Sequence, residues 1–262
     1  MKQKAKVLTL ILVGLLFTNL SAQEDNFKND PVAPQGEDQS FRLGLQLSPQ
    51  ISWLSPNSKE YKNDGSRFGV AYGLATEFFL AKNYLLSTGF MISSLGGNVA
   101  YEGVFEDNDG VNIVSGVEQS YAIKYIEIPL TLKLRTNQIG YMTYYGNFGF
   151  KSGVKFQSTS DFTYTDINNK PKVEGVNTAG DIFFFNMYLT VGAGVEYNLS
   201  GNTNVMVGIT YNNGFINQLN KKLNIINEEG KAELNNLGQP NLSEKNASAN
   251  LKYIALNIGL FF

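Results

Sequence analysis

The sequence predicts an all-β protein, an eight-stranded antiparallel up-and-down transmembrane β-barrel with long extracellular loops and short periplasmic turns. Eight segments alternate apolar and polar residues with a period of two, which is the signature of strands. The connections between these segments alternate long and short, as in an up-and-down barrel. Aromatic residues make up 13% of the chain and charged residues only 17%, and beyond residue 22 no apolar run is as long as a transmembrane helix requires. Any crossing of a membrane would therefore use strands.

The N-terminus has the order of a secretory signal peptide. Lysines come first, an apolar stretch follows, and small residues end it. The stretch is shorter than the roughly 20 residues of a transmembrane helix, which favours cleavage over anchoring. The segment after it is polar and contains two prolines, so we expect it to be flexible. The predicted divisions are a signal peptide over 1–22, cleaved between Ala22 and Gln23, a flexible polar periplasmic leader over 23–40, and a barrel domain over 41–262.

The first four strands are predicted from alternation alone. Segment 41–53 has its large apolar residues at odd positions, whereas 66–80, 84–93 and 121–135 have them at even positions. The intervening positions are mostly polar or small, with Leu85 an exception in the third segment. Pro129 lies on the polar side of the fourth segment, and a proline inside a strand predicts a bulge or a kink there.

The last four strands follow the same rule. Large apolar residues occupy even positions in 142–156 and 253–262, and odd positions in 183–197 and 204–212. Phe184 is an exception, because it lies on the polar side of its segment. Each segment therefore predicts a strand with one apolar face.

The connections predict which strand ends lie together. Short turns are expected at 81–83, 136–140 and 199–202, and the longest loop is expected over 217–249. The long connections are rich in polar residues and glycine. With eight strands, both termini fall on the rim that carries the short turns.

The polar face of the predicted barrel combines glycine with charged residues. Glycine weakens a strand that faces water, but a narrow barrel needs small residues inside it to leave space for long charged ones. We therefore expect the polar face to point inward and the aliphatic face to contact lipid. Buried charges have to be paired, because an unpaired buried charge is costly. The predicted polar network of the lumen consists of Arg42, Glu77, Glu127, Lys133, Lys151, Lys155 and Glu196.

A soluble lipocalin-like barrel that binds a ligand is the structural alternative, because it also has eight alternating strands. It would place the apolar residues inside and the polar residues outside. Several predicted strands are long enough to cross a bilayer at a tilt, and aromatic residues recur near strand ends, where a membrane girdle would lie. These residues are Trp53, Tyr72, Phe78, Tyr84, Tyr144, Tyr197, Tyr211 and Tyr253. The membrane barrel is favoured for both reasons.

The composition excludes several kinds of chemistry. The chain has no cysteine and no histidine, which removes thiolate nucleophiles, disulfides, imidazole-based triads and zinc sites built from these residues. Lys and Arg total 21 against 23 for Asp and Glu, without a basic stripe, so nucleic acid is not an expected partner. We predict that the protein is not an enzyme, with no catalytic, cofactor-binding or metal site and no cofactor.

Three motifs are similar to those of a known family. Residues 125–133 read Tyr-Ile-Glu-Ile-Pro-Leu-Thr-Leu-Lys, which resembles the Tyr-Leu-Glu-Ile-Pro-Leu-Leu-Leu-Lys signature of the PorT-like outer-membrane β-barrel family of Bacteroidota. Residues 192–197 resemble its Gly-x-Gly-x-Glu-Tyr strand, and residues 211–217 are similar to its Tyr-x-x-Gly-Leu-x-Asn segment. Phe262, as the last residue, resembles the terminal aromatic signal for assembly. The resemblance spans most of residues 41–262.

The resemblance implies an exported protein of the outer membrane, surrounded by outer-membrane lipid and inserted by the barrel-assembly machinery. It implies less about activity, because the family is named after a component of the type IX secretion and gliding apparatus and most members have no assigned role. We predict a non-enzymatic structural or interaction role through the external loops. The alternative is a component of a type IX secretion or gliding assembly, with secretion-system proteins as partners. An outer-membrane enzyme is less favoured, and so is an open porin, because eight strands enclose a lumen that side chains fill.

Overall fold

The computed structural model describes residues 40–106, 109–169 and 171–262, which form mainly long antiparallel strands. The predicted signal peptide, the predicted cleavage site and all but the last residue of the predicted leader lie outside the described residues. The eight long strands are β1 (Phe41–Pro56), β2 (Ser66–Ala81), β3 (Tyr84–Glu106), β4 (Asn112–Arg135), β5 (Met142–Tyr164), β6 (Phe185–Ser200), β7 (Thr203–Asn217) and β8 (Ala249–Phe261). The short strands Lys62–Asn63, Lys172–Asn177, Lys222–Asn224 and Leu242–Asn246 lie in the long connections. Among the described residues, no helix has the length and apolar character needed to span a bilayer.

The eight long strands form a ring of antiparallel pairs. Each strand from β1 to β7 pairs with the next one in the chain. β8 returns to β1, where Gly44 faces Phe261. The main chains of Leu43 and Phe262 add two hydrogen bonds, of 2.9 and 3.2 Å. The connections after β2, β4 and β6 are short, and those after β1, β5 and β7 are longer, whereas β3 and β4 are joined by a short hairpin turn. The predicted eight-stranded up-and-down barrel is confirmed.

The outward face of the ring carries a band of apolar side chains. On β4 every second residue from Ile126 to Leu134 is large and apolar and faces outward, and on β8 the same holds from Ile254 to Leu260. The residues between them are mostly buried inside the ring, as Glu127 is. A soluble lipocalin-like barrel would have the opposite arrangement, whereas an apolar outer surface suits lipid.

Three strands are much longer than the sequence pattern indicated. β3, β4 and β5 contain 23, 24 and 23 residues, whereas the predicted third and fifth strands ended at residues 93 and 156 and the fourth began at 121. The prediction of a long loop between the third and fourth strands is therefore wrong. Most of it is a paired hairpin, which runs from Ser94 facing Lys124 to Glu106 facing Asn112.

The sequence pattern did not show these strand extensions because the apolar residues change phase along the strands. In the part of β3 nearest the short β2–β3 turn, the large apolar side chains, such as Phe90 and Ile92, face outward. Further along the strand, Leu95, Val99 and Tyr101 are buried on the opposite face. A strand surrounded by lipid exposes apolar side chains, whereas a strand surrounded by water buries them. An alternation with one fixed phase therefore ends at the edge of the membrane, although the strand continues.

The projecting hairpin packs closely against the rest of the ring. A Cβ atom at Gly97 of β3 would lie 2.5 Å from the backbone nitrogen of Leu54 in β1. Beside this contact the ring of Tyr61 stacks on that of Tyr101, with centroids 4.4 Å apart. The hairpin thus contacts β1 and the connection that follows it.

The longest predicted loop is folded. Between β7 and β8, Lys222–Asn224 pairs with Leu242–Asn246. Asn224 Nδ2 donates a 2.8 Å hydrogen bond to the carbonyl oxygen of Glu102, and Lys221 Nζ donates one of 2.9 Å to the hydroxyl of Tyr101. The β7–β8 connection is therefore held against the projecting part of β3.

One predicted girdle residue lies on the wrong side. Tyr72, Tyr84 and Tyr144 are about half exposed on the outside of the ring, but Tyr253 is completely buried inside it. In β8 Tyr253 alternates with the outward-facing Ile254 and therefore points into the lumen. The expectation that Tyr253 belongs to the membrane girdle is wrong.

We expect Gly97→Ala to lower the free energy of unfolding by about 1–3 kcal/mol, because the added methyl group would collide with the backbone of β1. Urea unfolding in detergent micelles, followed by the fluorescence of the single tryptophan, Trp53, would measure the change. Gly180→Ala is the matched control, because a Cβ there meets no heavy atom within 4 Å. Equal unfolding midpoints for the two variants would contradict the close packing at Gly97.

Candidate functional site

Four charged side chains form a closed ring of ion pairs inside the barrel, near the rim with the short turns. Arg42 Nη2 lies 2.5 Å from Glu77 Oε2 and 2.5 Å from Glu196 Oε1. Lys133 Nζ lies 2.8 Å from Glu77 Oε1 and also pairs with Glu196. All four residues are at most 4% exposed. Each charge has two opposite neighbours, which offsets the cost of removing it from water.

Local strand structure explains how these groups meet. Arg42 and Glu77 face each other across the β1–β2 pair, and both side chains point inward. Lys133 and Glu196 reach the same level from β4 and β6. Glycine supplies the space for the surrounding rings: a Cβ at Gly208 would lie 2.1 Å from the hydroxyl of Tyr145.

Aromatic and polar groups enclose the ion pairs. The guanidinium carbon of Arg42 lies 4.8 Å from the ring centroid of Phe261, and Lys133 Nζ lies 4.2 Å from that of Tyr145. Ser87 donates a 3.0 Å hydrogen bond to Glu77 Oε1. Phe261 is only 1% exposed, so its ring helps to close the lumen at this end. Cations over aromatic faces gain further electrostatic stabilisation.

A second charged group lies deeper in the lumen. Lys151 Nζ donates a 2.9 Å hydrogen bond to the hydroxyl of Tyr253, which donates one of 3.2 Å to Glu127 Oε1. Lys151 and Glu127 are 4.0 Å apart at their nearest charged atoms. Tyr253 thus links a buried cation to a buried carboxylate.

A cavity of about 70 Å³ is lined by residues of both charged groups. Its polar lining includes Gln46, Thr190 and Asn257 as well as the side chain of Asn147. The Oδ1 atom of Asn147 is buried and has no hydrogen-bond partner among the described residues. A polar space of this size has room for a few water molecules.

Beyond the second charged group, toward the long loops, the interior becomes a hydrophobic core rich in tyrosine. The Tyr188 and Tyr253 rings meet edge to face at 5.2 Å. The hydroxyl of Tyr125 donates a 2.7 Å hydrogen bond to Gln218 Oε1, which ties the core to the β7–β8 connection. Other fully buried members of the core are Leu54, Leu95, Tyr121, Ile123, Leu219 and Leu251. The combination of glycine and charge expected for the interior therefore holds for one half of the lumen only.

Other predicted site residues occupy different places. Lys155 lies apart from the ion pairs, because its ammonium group donates to the backbone carbonyls of Ala179 and Ile182. The side chain of Phe262 is 55% exposed on the outer surface. The cleavage residues Ala22 and Gln23 lie outside the described residues.

Sequence reasoning missed several contributors to the lumen. Arg135 Nη1 lies 3.7 Å from Glu196 Oε2, and the rings of Tyr145 and Phe261 pack against the cations. Their parity within the strands could have identified all three, because each lies an even number of residues from an inward-facing neighbour in its strand. Within the described ranges, no group of three or more Asp or Glu residues is arranged to hold a metal ion.

We expect Lys133→Met to lower the free energy of unfolding by about 3–5 kcal/mol, because Glu77 would keep only Arg42 as a close cation and Glu196 would keep only Arg42 and the more distant Arg135. Urea unfolding in micelles would measure the loss. Lys82→Met, in the exposed β2–β3 turn, should change the free energy by less than about 0.5 kcal/mol. Adding Glu77→Gln to Lys133→Met should recover part of the loss, because it removes the excess negative charge. A Lys133→Met effect as small as that of Lys82→Met would show that the ion pairs do not stabilise the barrel.

Comparison with known proteins assigns the chain to a family. The family model described as "Outer membrane protein beta-barrel domain" matches residues 22–220. Among solved structures, the chain is similar to Neisserial surface protein A, with 9% identity over 85% of this chain and 96% of that one and a TM-score of 0.38. It is also similar to the attachment invasion locus protein Ail of Yersinia pestis, with 12% identity, coverages of 85% and 97% and a TM-score of 0.32. A third similar structure is the outer membrane protein OprG of Pseudomonas aeruginosa, with 11% identity, coverages of 85% of this chain and 94% of that one, and a TM-score of 0.37.

These structural likenesses carry no statement about function. No curated protein sequence matches the chain. The family model, however, covers most of the chain and agrees with a ring of eight strands whose outer surface is apolar. The chain belongs to the outer membrane protein β-barrel domain family and is an outer-membrane β-barrel protein.

Proposed function

We propose that the protein is a non-enzymatic barrel that binds a protein partner outside the cell through its external loops. The supporting observation is a group of exposed apolar side chains far from the band that faces lipid. This group, the tip patch, consists of Ile113 near the start of β4 and of Leu234, Leu237 and Leu242 in the β7–β8 connection. Leu237 is 81% exposed. Exposed apolar groups that cluster in water mark sites of protein–protein contact.

The two parts of the tip patch are joined by direct contacts. Asn112 Nδ2 donates a 2.8 Å hydrogen bond to the carbonyl oxygen of Gly238, which connects the start of β4 to the segment that carries Leu237. Within the β7–β8 connection, Leu234 pairs with Pro240 in a single β-bridge. The apolar side chains are therefore held in one region.

Charged contacts secure the same connection. Lys231 Nζ lies 2.7 Å from Asp166 Oδ2 and 3.8 Å from Glu102 Oε2. The hydrogen bond from Lys231 holds the pKa of the Asp166 carboxyl below its usual value. A loop that is already ordered loses less conformational entropy on binding, which favours a role in recognition.

The interior of the barrel supports an interaction role over transport. Ion pairs occupy the half of the lumen near the short turns, and a tyrosine-rich core occupies the other half. A solute or an ion would have to displace Phe261 at one end and Tyr121 or Tyr125 at the other. The external surface is therefore the favoured place for function.

The PorT-like kinship, and with it a place in a type IX secretion or gliding assembly, remains the alternative proposal. The longest of the three motifs that resemble that family, residues 125–133, lies in the membrane-crossing part of β4. Tyr125, Glu127 and Lys133 are buried in the lumen, and Ile126 and Ile128 alternate with them on the outward face. The motif therefore supports a common way of building the barrel, and it presents no surface to a secretion partner.

We expect the double variant Leu237→Ser and Leu242→Ser to keep the barrel folded and to weaken capture of its external partner by at least about tenfold, because two apolar side chains lose their burial in the complex. Partners would be trapped on intact cells by a photo-crosslinker placed at position 235 and identified by mass spectrometry.

Gln239→Ser is the matched control, because it changes an exposed polar residue of the same connection. Unheated gel samples would confirm that every variant is folded. Equal adduct yields for the double variant and the control would contradict the role of the tip patch. Adducts with secretion or gliding proteins would instead favour the alternative proposal.

We expect the purified protein to show no large, stable conductance steps in planar lipid bilayers, because side chains fill the lumen at both ends. A porin of larger diameter, inserted under the same salt and voltage, serves as the positive control. Stable open steps would contradict both the filled lumen and a function confined to the external surface.

A further inference from the structure

Lysines mark the extracellular edge of the apolar band on two strands. On β8 the outward-facing residues from Leu260 to Ile254 are all apolar, and the next outward residue is Lys252. On β4 the outward residues from Leu134 to Ile126 are apolar, and the next is Lys124. In the part of the chain that the structure describes, neither ammonium group has a carboxylate within 4.0 Å. Both cations therefore stand, without an acidic partner from the protein, where the lipid tails end.

Lys252 lies between a tryptophan and an asparagine. It faces Trp53 of β1 on one side and Asn213 of β7 on the other. The ring of Trp53 stacks with that of Tyr211, with centroids 6.4 Å apart and an interplanar angle of 25°. Tyr211 in turn faces Ile254, the first apolar residue below Lys252. These residues form a cation and an aromatic pair at the top of the lipid-facing surface.

The chemistry of this group fits the headgroup of a membrane lipid. Tryptophan and tyrosine rings favour the boundary between hydrocarbon and water, and a lysine at that level attracts anionic headgroups. Lys252 is partly buried although it faces outward, so part of this lysine packs against the barrel surface at that level. Acyl chains can pack on Ile254 and on the aromatic pair while a phosphate reaches the ammonium group.

We propose that Lys252, Trp53 and Tyr211 form a binding site for the phosphate-bearing headgroup of a lipid in the outer leaflet. We call it the rim site. This inference rests on the outer-membrane location of the barrel. The occupant is a lipid and not a soluble anion, because the surface beneath Lys252 is apolar and faces acyl chains.

Trp53 is the only tryptophan of the chain and lies next to Lys252, so its fluorescence reports on the rim site. The protein would be placed in phosphatidylcholine vesicles that contain increasing fractions of brominated phosphatidate or brominated phosphatidylcholine. We expect half-maximal quenching of Trp53 at a fraction of phosphatidate about fivefold lower than that of phosphatidylcholine. Lys252→Gln should remove this difference, and Lys252→Arg should keep it.

Lys124→Gln is the matched control, because Lys124 occupies the same boundary on β4, four strands away around the ring. It should leave the quenching of Trp53 unchanged. Equal quenching by the two brominated lipids in the wild type would overturn the rim site and leave the membrane location intact. Absence of quenching by either lipid would overturn the membrane location itself. Displacement of brominated phosphatidate by inorganic phosphate would show a soluble-anion site and overturn the assignment to lipid.

Discussion

The lack of water in the hydrocarbon region is the constraint from which the rest of this structure follows. Each main-chain N–H and C=O group at that depth has to pair with another main-chain group, because an unpaired one costs several kcal/mol. The chain meets this demand by closing the sheet, and the pairing of β8 with β1 continues to the last residue, Phe262. Closure with eight strands leaves a narrow interior, so inward positions hold either glycine or side chains that fill the space. Long charged side chains in that interior need opposite charges as neighbours, which Arg42, Glu77, Lys133 and Glu196 provide for one another.

Two different surroundings act on the same strands. In lipid, β3 and β4 expose apolar side chains and bury polar ones; in water, the same strands bury Leu95, Val99 and Ile123. The reversal is a shift of one residue in the phase of the apolar positions, and it takes place without a break in hydrogen bonding between β3 and β4. Inside the barrel the same boundary separates the charged half of the lumen from the tyrosine-rich core. The strands that cross the membrane therefore also build the platform on which the external connections lie.

Because the interior is filled, we expect binding at the outer surfaces of the barrel. Two of these surfaces, the tip patch and the rim site, differ in chemistry. The tip patch is apolar and lies among polar loops, which suits a protein partner in water. The rim site combines a cation with aromatic rings at the edge of the lipid band, which suits a phosphate headgroup above acyl chains. The two surfaces lie on different parts of the molecule, so one can be occupied without blocking the other. Of the three motifs that resemble the PorT-like family, the one in β4 contributes to neither surface, because its polar residues face the lumen. The motif at residues 211–217 contributes Tyr211 to the rim site.

The sequence alone determined the number of strands, the short turns and the inward direction of the charged residues in the membrane-crossing part. These properties are local: a period of two shows where a strand lies and which face meets lipid. The tertiary structure decided which inward charges meet. Lys155 has the predicted inward parity, yet it binds loop carbonyls, whereas Arg135 reaches Glu196. It also decided the true lengths of β3 to β5 and the fold of the β7–β8 connection, which depends on contacts such as that between Lys231 and Asp166. Pairings of this kind depend on the register and closure of the whole ring and on the change from lipid to water along a strand. The pattern of a single segment shows none of these.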